Sequence, residues 1–232
     1  MAAVATELGT VLVTGGASGL GAAVATAVAE AGGTPIVLDV RSPAGGLAHE
    51  IVDLGDGRAA ERAVHDVAER QGGLDAVVTA AGVDCCGPLD SVDGDAWDRV
   101  VRVNLLGTAA VVRAALPHLE RSGGRVVTVA STLGWRALPD ATAYCASKFG
   151  VVGFTRALAA EMAGRVGVTL LLPGGMQTPF FDGRPEQYKP GPDARLNRPE
   201  HVAEAVLFAL RQPPGCEVRE LLVTPSTETS WP

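Results

Sequence analysis

The apolar positions of the chain fall into short continuous runs that alternate with longer segments in which apolar residues recur at helical spacing. The short runs are typical of buried strands, and the longer segments are typical of helices packed on a core. Strand-like runs occupy residues 10–14, 34–38, 50–52, 74–79, 125–130, 166–172 and 220–224. Helical segments occupy residues 22–31, 56–71, 97–119, 144–162 and 199–210. This alternation predicts an α/β fold, in which a doubly wound parallel sheet of about seven strands carries helices on both faces.

Length and composition restrict the class of protein. A chain of 232 residues suits one domain, and we expect residues 1–232 to form it. Hydrophobic residues make up 47% and no apolar run is long enough to span a membrane, so we expect a soluble protein. A net charge of −7 leaves no basic face for a phosphate backbone, which argues against nucleic acid as a partner. Residues 1–7 lack the basic start of a signal peptide, so we expect a cytoplasmic location.

The cysteines and histidines do not have metal-binding spacings. The four cysteines include no Cys-x-x-Cys pair and the four histidines are scattered, so the sequence predicts no metal site. Adjacent Cys85 and Cys86 could be a redox pair or simply small apolar residues. Cys145 is expected near the reaction centre without a catalytic role.

A glycine-rich turn follows the first strand-like run and precedes the first helical segment. Its residues Gly15, Gly19 and Gly21 suit a backbone that adopts positive φ or passes close to a ligand. The amides and the positive dipole end of the following helix favour a pyrophosphate. The order of strand, turn and helix predicts a dinucleotide site, and the alternative is a tight turn without a ligand.

An acidic residue, Asp39, ends the second strand-like run about twenty positions beyond the glycine turn. Such a carboxylate can accept hydrogen bonds from both adenosine ribose hydroxyls and repels a 2′-phosphate, which favours NAD over NADP. Arg41 leaves NADP as a second choice, because its side chain could pair with that phosphate. Asp39 could also serve only to cap the strand.

A group suited to acid–base chemistry lies in the second half of the chain. Tyr144 and Lys148 are spaced at i and i+4, so they lie on one face of the predicted helix. A free tyrosine, with a pKa of about 10, is ionised in only roughly one molecule in a thousand at pH 7. A cation within about 4–6 Å typically lowers such a pKa by about 1–3, and we expect the Lys148 ammonium, with a positively charged nicotinamide nearby, to act on Tyr144 in this way. Ser131 follows a strand-like run, where its hydroxyl would hold the substrate oxygen.

The spacing of Ser131, Tyr144 and Lys148, together with the turn Thr14-Gly15-x-x-x-Gly19-x-Gly21, resembles the compact single-domain branch of the short-chain dehydrogenase/reductase family. The resemblance covers nearly the whole chain. It implies a Rossmann-type fold and an NAD(P)-dependent oxidoreductase that interconverts a secondary alcohol and a ketone, with Tyr144 as acid and base. It also implies that Asn104 bends its helix and holds a water that relays protons towards Lys148.

The resemblance further implies cofactor contacts and an assembly. The implied contacts are Gly15, Ser18, Gly19, Leu20, Gly21, Asp39, Asp53, Leu54, Ala81, Gly82, Tyr144, Lys148, Pro173, Gly174, Met176 and Thr178. The implied assembly is a homo-oligomer, often a tetramer, in which the helix of Tyr144 and that of Asn104 pair across subunits. Trp231, near the chain end, is a candidate for contact with a neighbouring subunit.

A proline-rich segment, residues 179–199, has neither helical nor strand periodicity, and we call it the lid. A loop of this length in a compact domain commonly covers a binding site. Phe180, Phe181 and Tyr188 give it an apolar side, which suggests a partly hydrophobic small-molecule substrate. With the lid, the expected substrate pocket is lined by Asp84, Leu133, Trp135 and Gly175.

One position departs from the family pattern. Ala80 stands where an Asn-Ala-Gly motif is usual, and in the resemblance that asparagine steadies the central sheet. Its replacement therefore puts the stability of the sheet in doubt more than the activity.

Two other classes of function remain open. A non-catalytic protein that binds or senses the cofactor would commonly lack the tyrosine or the lysine, whereas this chain keeps both. An epimerase or dehydratase that uses bound NAD transiently usually has a different glycine spacing and a larger C-terminal lobe.

Overall fold

The computed structural model describes residues 7–228 and contains a seven-stranded parallel sheet. The strands are β1 Thr10–Thr14, β2 Thr34–Asp39, β3 His49–Ile51, β4 Ala76–Thr79, β5 Arg125–Val129, β6 Gly167–Pro173 and β7 Glu220–Val223. Their order across the sheet is β3-β2-β1-β4-β5-β6-β7. The order reverses between β1 and β4, which opens a crevice at the carboxyl ends of these strands. The predicted doubly wound parallel sheet is confirmed.

Helices cover both faces of the sheet. They are α1 Gly19–Glu30, α2 Gly57–Gln71, α3 Gly94–Val101, α4 Thr108–Ser122, α5 Thr142–Glu161 and α6 Pro199–Leu210. Within β1, Leu12 packs into a core with α2, α4 and α5, whereas Val11 and Val13 pack into another with α1 and α6. Because side chains of a strand alternate between faces and both faces are buried, the strands are apolar throughout, as their sequence pattern indicates.

Helix α1 begins earlier than its apolar periodicity predicts. It starts at Gly19 rather than at residue 22, so Gly19 and Gly21 lie in its first turn. Glycines contribute nothing to an apolar pattern, which is why periodicity alone places the start too late. The consequence is functional, because the glycine turn and the amides at the helix start form one continuous piece of backbone.

The predicted helix 97–119 is longer and less regular in the structure. It begins at Gly94, where Asp93 Oδ1 accepts a hydrogen bond from Ala96 N, and α3 continues through a π-helical turn, Arg102–Gly107, into α4. Together these turns form a helix over residues 94–122 that contains a window long and apolar enough to cross a membrane. That window is 56% buried within the protein, as is usual for a core helix.

The lid contains more local structure than its sequence predicts. Two single-turn 3-10 helices, Pro179–Phe181 and Glu186–Tyr188, lie within it. Elements of one turn are too short to produce a recognisable periodicity. Trp231 lies outside the described residues.

The sheet is continuous up to Thr79, directly before Ala80, despite the missing asparagine. Strand β4 pairs with β1 and β5 along its whole length, and the Ala81 amide just beyond it donates to Thr14 Oγ1 at 3.1 Å. This bond ties the ends of β1 and β4 together beside the crevice.

Candidate active site

A cleft of about 1180 Å³ opens along the carboxyl ends of the strands. All the residues predicted to contact a cofactor line it, as do Ser131 and, among the predicted substrate contacts, Asp84, Leu133 and Gly175. Trp135, in contrast, lies outside the cleft and is 46% exposed. The Arg156 guanidinium carbon lies 4.8 Å from the centroid of the Trp135 ring. The prediction that Trp135 lines the substrate pocket is therefore wrong.

The glycine turn brings backbone segments closer together than any side chain would allow. Gly15 has φ +72°, and a Cβ there would lie 2.7 Å from Ala81 Cα. A Cβ on Gly21 would lie 2.2 Å from the Gly15 carbonyl oxygen. Ser18, the N-cap of α1, makes no side-chain capping hydrogen bond. The turn and the uncapped helix start form a concave set of backbone amides whose size and polarity suit a pyrophosphate.

Asp39 and Arg41 lie together at the end of β2. The Asp39 carboxylate accepts from Ala17 N and from Arg41 N, both at 3.0 Å, while Arg41 Nη2 donates to Ser18 Oγ at 3.3 Å. Asp39 thus orders the glycine turn as well as presenting an acidic group to the cleft. The Arg41 guanidinium is near enough to the same turn to contact an anion there.

Asp53, one of the implied cofactor contacts, already forms bonds within the protein. Its carboxylate forms an ion pair with Arg99, with Nη1 and Oδ2 3.0 Å apart, and accepts from Gly55 N at 2.8 Å. The hydrogen bond from Arg99 holds the pKa of Asp53 below its ordinary value. Leu54 is 5% exposed, and Leu54 and Arg99 both line this end of the cleft.

Lys148 is buried, at 4% exposure, beneath the other end of the cleft. Its Nζ donates to the Val129 carbonyl oxygen at 2.8 Å and lies 5.6 Å from the centroid of the Tyr144 ring. Desolvation lowers the pKa of Lys148 to about 8, although the Asp84 carboxylate acts in the opposite direction. A weakened charge on Lys148 follows directly from its burial.

Tyr144 and Ser131 lie within hydrogen-bonding distance of each other. Ser131 Oγ accepts from Leu133 N at 3.1 Å, so its proton is free to be donated to the phenol oxygen. This bond favours the ionised phenol, as does the Arg184 guanidinium. Desolvation, the Asp84 carboxylate and Cys145 act the other way, and together they raise the pKa of Tyr144 above its ordinary value.

The prediction that Lys148 and a nearby nicotinamide cation lower the pKa of Tyr144 concerns the dinucleotide complex and stays a prediction. Among the groups of the protein itself the balance differs. The pKa of the phenol is raised, because burial outweighs the groups that favour ionisation. The Lys148 ammonium is hydrogen-bonded to the Val129 carbonyl and is itself poorly solvated. Ionising Tyr144 near neutral pH therefore requires positive charge beyond that of Lys148.

Asn104, which the resemblance expects to bend its helix, lies in the π-helical turn between α3 and α4. Its Oδ1 accepts from Val83 N at 2.8 Å, and its Nδ2 donates to Val83 O at 2.9 Å and to Ser147 Oγ at 3.0 Å. A Cβ on Gly82 would lie 3.5 Å from Asn104 Oδ1 and 3.8 Å from Lys148 Nζ. Asn104 therefore ties the loop after β4 to α5 next to the lysine, and its part in a proton relay stays a prediction.

The adjacent thiols lie beside the cleft as free cysteines. Burial raises the pKa of both, and it raises that of Cys86 to about 12, with Asp84 contributing in each case. Cys86 Sγ donates to Asp84 Oδ2 at 3.2 Å. Neither thiol is ionised at neutral pH, which favours their interpretation as small apolar residues over a redox pair.

Glu228 and Arg184 are among the cleft residues that the sequence analysis missed. Glu228 Oε2 accepts from Gly175 N at 3.0 Å, so the end of the described chain supports the turn after β6. Arg184, in the lid, forms an ion pair with Asp84. Nothing in the local sequence marks either residue, because both contacts join segments far apart along the chain.

A family model for the short chain dehydrogenases matches residues 9–189. The chain belongs to this family. A 3-oxoacyl-[acyl-carrier-protein] reductase of Thermotoga maritima is 32% identical to this short-chain dehydrogenase, over 85% of this chain and 88% of the relative. A cis-4-hydroxycyclohexanecarboxylate dehydrogenase of Sinomonas cyclohexanicum is 34% identical, over 85% of this chain and 87% of the relative.

Solved structures extend the comparison. An alcohol dehydrogenase from the archaeon Thermococcus sibiricus, complexed with 5-hydroxy-NADP, superimposes with a TM-score of 0.80. It is 25% identical to this short-chain dehydrogenase and covers 92% of this chain and 95% of its own. The match confirms the Rossmann-type fold and the oxidoreductase class.

The burial of Lys148 makes a prediction about stability and pH. Its pKa is 10.5 ordinarily and about 8 in the folded protein, so between these values the unfolded chain binds more protons at this residue. The free energy of unfolding should then rise with pH across this window, by about 3 kcal/mol in total for this residue. Urea unfolding at pH 7 to 10 should show this contribution in the parent and not in Lys148→Met.

Other groups titrate in the same window, and the difference between parent and variant removes their contribution. Lys189→Met, at the other lysine of the chain, is the matched control and should leave the pH dependence unchanged. Parallel stability curves for the parent and Lys148→Met would contradict the burial of a charged amine at this position.

Proposed function

We propose that this short-chain dehydrogenase is an NAD-dependent enzyme that interconverts a secondary alcohol and a ketone by hydride transfer, with Tyr144 as acid and base. Residues 1–232 act as a single domain in this proposal. The observation that supports it best is the grouping of Ser131, Tyr144 and Lys148 in the same cleft that the glycine turn lines. The dinucleotide supplies the hydride acceptor when it is bound.

The side chains divide the remaining work. Ser131 positions the alcohol oxygen beside Tyr144, which takes the proton of the hydroxyl. Lys148 holds the nicotinamide ribose and adds positive charge beneath the phenol. Asn104 keeps the loop after β4 against α5 and anchors a proton relay towards Lys148. In the reverse direction Tyr144 returns the proton to the ketone oxygen.

The alternative classes receive no support from particular residues. A protein that only senses the cofactor would not need the hydrogen-bonded Ser131–Tyr144 pair above a buried lysine. An epimerase or dehydratase that retains NAD is tested by whether the purified protein carries dinucleotide that does not dissociate.

The preference for NAD rests on Asp39, and the opposing residue is Arg41. In Asp39→Asn, which keeps an oxygen that can accept from Ala17 N, loss of the charge should relieve repulsion of a 2′-phosphate. We expect the ratio of the Kd for NADPH to that for NADH to fall roughly tenfold, which corresponds to about 1.4 kcal/mol. Arg41→Gln should change the ratio in the opposite direction. An unchanged ratio in both variants would remove these residues from cofactor selection.

The substrate is proposed to be a partly apolar secondary alcohol or ketone. Phe180 and Phe181 of the lid line the cleft, and the Phe180 ring centroid is 5.6 Å from that of Tyr144. The two relatives act, by their names, on a 3-oxoacyl group and on a hydroxycyclohexanecarboxylate. A first substrate panel therefore contains cyclohexanols, hydroxycyclohexanecarboxylates and 3-hydroxyacyl thioesters.

We further propose a cytoplasmic homotetramer. Leu106 and Phe149 are 56% and 45% exposed, on the two helical segments expected to pair across subunits. Covering such apolar side chains favours association of identical chains. Light scattering on the purified protein measures the number of subunits.

The experiment that tests the proposed function is a fluorescence titration with NADH and, separately, with NADPH. Tighter binding of NADH would support the role of Asp39, and the alcohol panel would then be assayed with NAD. Tighter binding of NADPH would mean that Arg41 dominates and would direct the assay towards ketone reduction. Binding of neither dinucleotide would contradict the proposal.

A further inference from the structure

A largely buried ion pair joins the lid to the loop after β4. Arg184 Nη2 donates to Asp84 Oδ2 at 2.5 Å, and the two side chains are 18% and 5% exposed. Most other ion pairs of the described residues lie on the surface, and exposed pairs contribute little to stability. We call the Asp84–Arg184 pair the latch. Because water is largely excluded from the latch, the charges of Asp84 and Arg184 act more strongly on groups of the adjoining active site.

The latch is in contact with the catalytic tyrosine through the lid aromatics. The Arg184 guanidinium carbon lies 5.0 Å from the ring centroid of Phe180 and 4.6 Å from that of Phe181. Phe180 in turn packs against Tyr144, with their ring centroids 5.6 Å apart. Movement of the lid away from the sheet would therefore remove both Arg184 and Phe180 from the surroundings of Tyr144.

A second contact fixes the lid to the start of α5. Tyr188 Oη donates to Asp140 Oδ2 at 3.0 Å, and Arg184 Nη1 donates to the Tyr188 carbonyl oxygen at 3.3 Å. Asp140 has φ +61°, unusual for a residue with a side chain, and its carbonyl oxygen accepts from Gly87 N at 2.8 Å. The lid and the loop after β4 are thus both attached just before the helix that carries Tyr144.

The charges around Tyr144 come from several elements. The loop after β4 supplies the Asp84 carboxylate, the lid supplies the Arg184 guanidinium, and α5 itself supplies Lys148 and the Cys145 thiol. Asp182, Asp193 and Arg195 of the lid and Glu228 after β7 also line the cleft. Asp84 raises the pKa of Tyr144, while Arg184 lowers it. The two members of the latch therefore have opposite effects on the same phenol.

The latch leaves polar atoms without partners. Among the described residues, Asp84 Oδ1 and Arg184 Nε are buried and make no hydrogen bond. Burying a polar group without a hydrogen bond costs free energy. Hydration of the group would remove this cost if the lid moved away. The pair is therefore suited to opening and closing rather than to holding the fold together.

We propose that the Asp84–Arg184 latch couples closure of the lid to proton transfer, because Arg184 offsets the charge of Asp84 beside Tyr144 only when the lid is closed. This role rests on the proposed function, in which Tyr144 exchanges a proton with the substrate. Asp84 and Arg184 are positioning residues here, since they act through Tyr144. With the lid open, the Asp84 carboxylate stands near the phenol without the offsetting charge of Arg184.

The test uses the fact that the chain has only two tyrosines, Tyr144 and Tyr188. In a Tyr188→Phe background, phenolate absorbance reports ionisation of Tyr144 alone, in purified protein without substrate. Asp84→Asn, Arg184→Gln and the double variant are titrated over the pH range in which circular dichroism shows a folded chain. Lys189→Gln removes a positive charge from the same lid, at a residue that pairs with Glu186 and does not line the cleft, and is the matched control.

We expect the phenolate fraction at a given alkaline pH to rise roughly tenfold in Asp84→Asn and to fall several-fold in Arg184→Gln, as for removal of one nearby charge. In the double variant the loss of Arg184 should have little further effect, because Asp84→Asn already releases the guanidinium from its place beside Tyr144. Arg184→Lys should restore most of the phenolate, and Lys189→Gln should change nothing.

Equal phenolate fractions in the parent, Asp84→Asn and Arg184→Gln would overturn the proposal, as would additive effects in the double variant. The readout needs neither turnover nor cofactor. Failure of the proposed function would appear separately, as absence of dinucleotide binding and of alcohol oxidation. Where a substrate is found, the pH at which kcat/KM reaches half its maximum should shift upwards in Arg184→Gln.

Discussion

Replacing Tyr144 with phenylalanine should lower kcat by roughly 10²–10⁴-fold, the contribution typical of a positioned acid or base. Phenylalanine keeps the ring that packs on Phe180 and that faces Lys148, and it removes only the oxygen that exchanges the proton. The Kd for NADH should stay within about threefold of the parent value, since the glycine turn and Asp39 are untouched. Steady-state kinetics and a fluorescence titration measure the two quantities on one preparation.

Tyr188→Phe is the matched control for that substitution. It removes the other phenol of the chain, whose hydroxyl donates to Asp140 rather than facing Ser131. Tyr188→Phe also removes one contact of the lid, but the Asp84–Arg184 pair remains, so we expect turnover to stay within about tenfold of that of the parent. Turnover retained in Tyr144→Phe would exclude Tyr144 as the acid and base and leave the chemistry to another group.

Adding one methyl group at Gly21 should weaken dinucleotide binding about ten- to hundredfold. A Cβ there would lie 2.2 Å from the Gly15 carbonyl oxygen, a contact with backbone that no rotation of a side chain can relieve. Overpacking of this kind costs about 1–3 kcal/mol, and relaxation of the turn would displace the amides proposed to face a pyrophosphate. The free energy of unfolding of Gly21→Ala should fall as well, which urea denaturation measures.

Gly94→Ala provides the comparison for Gly21→Ala. Gly94 is also in the first turn of a helix, and a Cβ there would meet no atom within 4 Å. This variant should bind NADH like the parent and should be equally stable or slightly more stable. Similar weakening of binding in both variants would mean that the effect at Gly21 does not come from its contact with Gly15.

Most of the fold and the outline of the site could be predicted because they depend on local patterns. The alternation of strands and helices determines a parallel sheet, and a parallel sheet brings the carboxyl ends of its strands together. The glycine turn, Asp39 and Ser131 each follow a strand, so they meet in one cleft. The boundaries of α1 and of the helix that contains Asn104 were less accurate, since glycines and a π turn have no periodic pattern.

Tyr144 illustrates where prediction from local sequence stops. The spacing at i and i+4 correctly places its ring on the same side of α5 as Lys148, with 5.6 Å between ring centroid and amine. The raised pKa of the phenol among the groups of the protein itself does not follow from that spacing, because desolvation depends on every segment that covers the phenol. Trp135 was wrongly assigned to the pocket for a related reason, as the direction of a loop side chain is not encoded by its position after a strand.

By itself, the sequence determined which residues share a helix face, which turns lack side chains and which polar groups end each strand. Such features arise between neighbours in the chain, where backbone geometry leaves few choices. Only the tertiary structure decided that Arg184 pairs with Asp84, 100 positions earlier, and that Glu228 reaches Gly175, 53 positions earlier. Contacts between distant segments depend on how loops pack once the sheet has formed, and the same packing removes water from Tyr144 and Lys148 and so sets their pKa values.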